Sequence, residues 1–328
     1  MEGFFLLSGF FAAMSLARCS VGAFHRKWMP TMLVPLLVVL PTNFVALWLI
    51  GAYAAERAQA FPHLDVGSLP GPWHLHLWFL IVLAVFTAMA PQLDGLAARA
   101  GRWLTRVPLA PVPLAVVLIL AMVLISRGSL EVIARLTWPA IREDWLTFAQ
   151  FAYLPSYLLG LLAWHHAGLR EALMSPRPRD AGAWFAVVVA MLTVLAVAPM
   201  GGPARVLEEA AFALAMLGVL SYAFRLLVRE RKPVIAFLSD AVYTVYLLHY
   251  LCIWAVFAAL GGVIESYWTL YGLAVAAGFG VPLLVHAYPV RRFELAGFLL
   301  NGRRPQARTA APASAPAASP PELARAET

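Results

Sequence analysis

The chain has 328 residues, of which 62% are hydrophobic and only 12% charged, with a mean hydropathy of +0.78 and a formal net charge of +7. Soluble domains carry about 25% charged residues, so a water-soluble globule is excluded. Period-two alternation is weak throughout, which excludes a membrane barrel and leaves helices, each needing about 20 apolar residues to cross a hydrocarbon core of ~30 Å.

Nine stretches fit or nearly fit that length. The first, Gly3–Ala17, is the shortest. Glu2 stands where a signal peptide has a basic residue, and Arg18 spoils the small-residue pattern before Cys19, so this stretch is read as a span. The basic pair Arg26 and Lys27 leads into Thr31–Ala54. That pair is either an anchor at the inner face or a seat for the phosphates of a donor such as coenzyme A. His74–Pro91 follows, with Trp73 and Trp78 placed as an aromatic belt. His74 and His76 are two residues apart and face different ways on a helix, so they do not chelate a metal as an i, i+4 pair would. His76 is a candidate functional residue, against the plainer reading of an interfacial histidine.

Pro108–Ser126 is the fourth span, and the mixed residues from Arg127 to Asp144 predict an interfacial helix ended by Pro139. Trp145–His165, Ala183–Pro199 and Arg205–Leu227 come next. Glu208 and Glu209 favour the N-terminus of the last of these, and His165, His166 and His286 fall at span ends and read as interfacial. Ile235–Leu260 contains "SDAVYTVYLLHYL", Ser239 to Leu251. At 100° per residue Ser239, Tyr243, Tyr246 and Tyr250 lie within about 60° of one another, with His249 beside them. Such a stripe is either an interhelical hydrogen-bond seam, with Ser239 or Asp240 capping a helix break, or the polar wall of a substrate cavity. Ser266–Tyr288 closes the set.

Arginine and lysine crowd the loops at one end of these spans, from Arg18 and Arg26 through Arg99, Arg170 and Arg225 to Arg291, and the other end is nearly bare. This asymmetry is topology rather than a nucleic-acid footprint, and it predicts a cytoplasmic C-terminus and an outer N-terminus. Cys19 and Cys252 lie at different depths, so no disulfide is expected. Without repeats, the chain reads as one membrane domain, 1–304. The Pro/Ala/Ser-rich tail 305–328 is expected to be disordered. No Walker loop, dinucleotide fingerprint or HExxH motif occurs.

Taken together, "GFFLLSGFFAA" (Gly3–Ala13), the basic loop into "VPLL" (Val34–Leu37), "HLWFL" (His76–Leu80), "LSDAVYTVYLLHYLCI" (Leu238–Ile253) and "RRFELAGFLLNG" (Arg291–Gly302) resemble the acyltransferase 3 family of integral membrane enzymes. The similarity runs from about Gly3 to Gly302 and is nearest to the branch that modifies periplasmic glucans. It implies an all-α helix bundle in the bacterial inner membrane. The implied activity moves a succinyl or acetyl group from acyl-CoA, with no bound cofactor or metal, to a hydroxyl of a glucan or other surface saccharide.

A histidine suits the base that such chemistry needs. The resemblance therefore makes His76 and His249 the catalytic candidates, with Ser239, Tyr243, Tyr246, Arg26 and Lys27 as substrate-binding residues. Two departures stand against the family pattern. The family has ten spans, and its first carries an arginine and the histidine usually assigned as catalytic; Met1-Glu2-Gly3 falls where its second helix begins. Its paired arginines fall at Trp28 and Thr31 of this sequence. The alternative reading is a non-enzymatic membrane protein that keeps the scaffold to bind a saccharide, a lipid or a partner.

Overall fold

Apolar residues without partners in water, crossing a medium that offers no hydrogen bonds, leave the backbone only its own helix to bond with. The computed structural model describes residues 1–55, 75–136, 145–197, 203–228, 230 and 232–302, and these form helices and short turns without a strand. In chain order they are α1 (Glu2–Leu16), α2 (Val21–Ala55), α3 (Trp78–Leu104), α4 (Pro111–Leu136), α5 (Trp145–His165), α6 (Ala167–Met174), α7 (Pro178–Val197), α8 (Pro203–Leu227), α9 (Pro233–Leu260), α10 (Tyr267–Val285) and α11 (Glu294–Asn301). A 3₁₀ turn at Leu75–Leu77 precedes α3, and a π-helical turn at His286–Val290 follows α10.

Eight helices among the described residues are long and apolar enough to cross a membrane, and α1 is a ninth, shorter apolar helix of 15 residues. At 1.5 Å per residue α1 extends about 22 Å, short of the ~30 Å core. The nine expected spans are therefore present as nine apolar helices, the first being the short one. Short helices α6 and α11 and the basic residues Arg26, Arg102, Arg225 and Arg291 all belong to the same end of the bundle. We call it the basic end.

Two segments differ from the sequence-based expectation. Arg127 to Leu136 is not a separate interfacial helix, because α4 runs unbroken from Pro111 to Leu136. Its 26 residues span about 39 Å, so its last turns extend beyond a hydrocarbon core. Charge ended the apolar run but not the helix. Nor is there a break at Ser239 or Asp240, since α9 continues through both. Residues 137–144 and the tail 303–328 lie outside the described residues, as do His74 and Trp73.

Small residues set the tightest crossing. Gly9 of α1 and Gly160 of α5 face each other's backbone, and a Cβ on either would overlap a carbonyl of the other helix, Tyr157 O or Leu6 O. In a membrane, where apolar surface gains little by leaving lipid, close backbone approach of this kind drives helix association. Around it packs one part of the core, in which Phe5, Phe24, Leu80, Phe86, Tyr157 and Leu247 join α1, α2, α3, α5 and α9. A second part, with Ile119, Leu159, Leu173 and Trp184, joins α4 to α8.

Prolines inside spans free carbonyls that a helix cannot then satisfy. Pro35 lacks the N–H that would bond Thr31 O, and the Tyr243 hydroxyl of α9 donates to that oxygen instead at 2.9 Å. Pro155 does the same to Phe151 O, and Ser126 Oγ of α4 donates to it. Kinks in one helix thus become polar fasteners to another.

Candidate active site

The stripe on α9 faces α2 and α3. Its tyrosines satisfy main-chain oxygens: Tyr243 donates to Thr31 O, and Tyr246 donates to His76 O at 2.8 Å across 170 residues of sequence. The seam reading is right for their hydroxyls. Their rings, together with Ser239, also line a half-open cavity of about 410 Å³ between α1, α2, α3 and α9. That volume lies within the ~300–1,000 Å³ typical of small-molecule sites. Ser8, Phe11, Leu83 and Thr87 line its middle, and no charged side chain lines it. Phe24, Trp28 and Thr31 mark its basic end.

Arg26 and Lys27 are exposed on the first turns of α2, where the Lys27 ammonium lies 4.9 Å from the centre of the Trp28 ring. The structure places them beside the mouth of the cavity and not beside the histidines. The positions matched to the family's paired arginines, Trp28 and Thr31, are on the cavity wall itself.

Behind the Tyr246 ring, outside the cavity lining itself, His76 and His249 meet. Their ring centroids are 5.3 Å apart at 79°. Tyr250 stacks on His76 at 4.8 Å, and Tyr246 meets it edge-on at 5.8 Å. Two of the sequence candidates, far apart in the chain, are therefore one site, with Tyr250 as a third wall.

The two imidazoles differ in how they are held. His249 Nδ1 lies 2.8 Å from Tyr246 O and 3.1 Å from Val245 O. Carbonyls only accept, so Nδ1 carries a proton here, and in the neutral form of the ring Nε2 is the acceptor. Neither nitrogen of His76 makes a hydrogen bond of good geometry, although the Tyr246 and Leu247 carbonyls lie close to the ring, and both nitrogens are shielded from solvent. Its position is fixed by rings and by the Tyr246 bond to its own carbonyl. Buried polar atoms without a partner are uncommon, and His25 Nε2 and Glu208 Oε2 are others among the described residues. Among the described residues, no group of three or more His, Cys, Asp or Glu is placed to hold a metal ion, and Cys19 and Cys252 are free.

Asn43 was not a sequence candidate and supports this site. It is buried in α2, and its Nδ2 donates at 3.1 Å to Leu247 O, pinning α2 to α9 at the level of the histidines. An amide in the middle of the apolar run "VVLPTNFVALW" was a readable signal, since polar groups at that depth need partners.

His286, His165 and His166 each have a partner within the protein. His286 is not interfacial: it is fully buried, with Nδ1 3.0 Å from Thr244 Oγ1 and Nε2 3.3 Å from Asp240 Oδ2. Thr244 in turn donates to Asn301 Oδ1 at 3.0 Å, so the network ties α9 and the π turn to α11. The sequence placed His286 at a span end correctly, but α11 folds back and encloses it. Gly302, at φ +60°, ends α11 against Thr31, where a Cβ would overlap the Thr31 Cα.

His165 pairs with Asp94 at 2.7 Å. His166 caps α6, its Nδ1 accepting from Leu169 N at 3.1 Å, and burial lowers its pKa, which keeps that lone pair available. Glu209 pairs with Arg205, as a surface i, i+4 pair does, but Glu208 is buried rather than solvating a helix end.

A bundle of apolar helices packed around an apolar cavity defines a multi-pass membrane protein. The acyltransferase 3 family profile, described as an acyltransferase domain, matches residues 1–287, and the chain belongs to that family. It is a multi-pass membrane acyltransferase. Its relatives include the glucans biosynthesis protein C of Salmonella schwarzengrund, 24% identical over 93% of this chain and 82% of that protein. Those of Salmonella paratyphi B and Salmonella heidelberg are each 23% identical over the same shares. No solved structure matches the chain.

Proposed function

We propose that the protein transfers an acyl group from acyl-CoA to a hydroxyl of a glucan or similar surface saccharide, across the bacterial inner membrane. In this reading the basic end faces the cytoplasm, in keeping with the excess of arginine there, and the C-terminus lies on that side. Arg26 and Lys27 meet the donor's phosphates at the cavity mouth. The pantetheine arm then lies along the apolar cavity and carries the thioester towards Tyr246.

His249 acts as the general base. Its bare Nε2 accepts the proton of the acceptor hydroxyl as that oxygen attacks the thioester carbonyl. The tetrahedral intermediate collapses with cleavage of the C–S bond, and the imidazolium returns its proton to the departing thiolate, giving the ester and free coenzyme A. His76 lines the opposite side of the reaction space, where its partnerless nitrogens can bind the acceptor hydroxyl or the carbonyl oxygen. The names of the relatives favour a glucan as acceptor, and succinyl or acetyl as the group moved follows from the family resemblance.

The observation that carries the reading is the meeting of His76 and His249, with ring centroids 5.3 Å apart, behind the Tyr246 ring that lines the cavity. The test is reconstitution in liposomes, with radiolabelled succinyl- or acetyl-CoA on the basic side and a glucan oligosaccharide on the other. Label should appear on the oligosaccharide. Folded, inserted protein that labels no acceptor with either donor would contradict the reading and leave a binding scaffold.

A further inference from the structure

Leu260, the last residue of α9, is eleven residues beyond His249, which puts the histidine pair about 16 Å from that end of the helix. A saccharide hydroxyl arriving from outside has to cover that distance through apolar surroundings. Beyond His249 the same face of α9 carries Tyr250, Trp254 and Phe257, which fall within about 60° at 100° per residue. Their rings form a ladder. Tyr250 stacks on His76 at 4.8 Å, Trp254 follows at 6.3 Å from Tyr250, and Phe257 at 6.2 Å from Trp254.

Interfacial aromatic anchors turn towards lipid headgroups. These do not: the exposed positions at this end of α9 are Ala255 and Ala259, on the opposite side of the helix. Core aromatics, for their part, are covered. Each of the three rings here is only half-buried, so part of each ring stays open. The C–H faces of a pyranose pack against aromatic rings, and tyrosine and tryptophan add a polar edge for its hydroxyls.

We propose that Tyr250, Trp254 and Phe257 are the acceptor track, on which successive sugar rings of an oligosaccharide stack while one hydroxyl reaches the histidine pair. This inference rests on the acyl-transfer reading and deepens it: it assigns the acceptor as a saccharide chain rather than a single sugar.

The experiment compares Trp254→Leu, Trp254→Tyr and Phe257→Leu with the parent, using a linear glucan oligosaccharide and glucose as acceptors. Trp254→Leu keeps apolar volume but loses the stacking face. It should raise KM for the oligosaccharide roughly three- to ten-fold, more than for glucose, with the change on KM rather than kcat. Trp254→Tyr should restore most of the loss. If Trp254→Leu lowers thermal stability and leaves KM for the oligosaccharide unmoved, the ring is a packing residue and the track is overturned.

Equilibrium binding of the oligosaccharide to purified protein separates the two readings. A parent that binds but transfers nothing, with binding weakened in Trp254→Leu, keeps the track and discards the acyl transfer. Equal binding by both proteins discards the track.

Discussion

His286, towards the basic end of α9, is wholly enclosed with both nitrogens engaged, by Thr244 and Asp240. Further along the same helix, His76 is held among Tyr246, His249 and Tyr250 with neither nitrogen engaged. Both imidazoles sit in a helix bundle, and both contact α9. A satisfied histidine there is a fastener, which joins α9 to α11 and the π turn. An unsatisfied one is held in place by ring contacts, at the cost of an unmet hydrogen bond that, in the proposed acyl transfer, a substrate atom would supply. Hydrogen-bond satisfaction, rather than residue type, is what distinguishes these two histidines.

The largest effect that could break this contrast is at His249. His249→Ala should lower acyl transfer by roughly 10²- to 10⁴-fold, as loss of a general base does. It should leave the melting temperature in detergent in place, because the Val245 and Tyr246 carbonyls keep their own helical N–H partners. A variant that loses stability together with activity would make His249 a second fastener.

Tyr246→Phe sharpens the contrast, because Tyr246 belongs to both worlds. It frees the His76 carbonyl and loosens the turn that carries the imidazole, so transfer should fall roughly ten- to hundred-fold through misplacement of His76, with a smaller stability loss. Steady-state rates of the inserted variant check this.

Thr244→Val addresses the other region. It strands His286 Nδ1 and Asn301 Oδ1, and should cost about 1–3 kcal/mol of stability, while transfer per folded molecule stays at the parent level. Calorimetric or fluorescence melting, paired with a rate normalised to folded protein, reads both. Should transfer fall as far as in His249→Ala, the network would belong to the chemistry and the contrast would collapse. Tyr243→Phe is the mildest change: it removes one interhelical bond to a proline-freed carbonyl, worth about 0.6 kcal/mol on average.

The spans were legible because length and hydropathy answer directly to membrane thickness. The end of α4 was not: Arg127 and Glu131 end the apolar run, whereas the helix needs only continued backbone bonding and goes on to Leu136. The stripe on α9 could be read from its periodicity: Tyr243 and Tyr246 spend their hydroxyls on carbonyls of α2 and of the turn before α3, and their rings line a cavity. The meeting of His76 with His249 could not be read, because it depends on how α3 approaches α9. His286 looked interfacial for the same reason, as nothing local says that α11 will fold back over it. Asn43 could have been suspected from its setting, but its partner Leu247 lies 204 residues away.

The central claim is that His76 and His249 act as one reacting unit, and a double-mutant cycle in acyl-transfer rate tests it most directly. Residues that act as a unit are strongly non-additive, so His76→Ala combined with His249→Ala should be no slower than the worse single variant, with all three proteins inserted and equally stable. Effects that multiply, or a His76→Ala variant as fast as the parent, would show that the two histidines do not share a reaction.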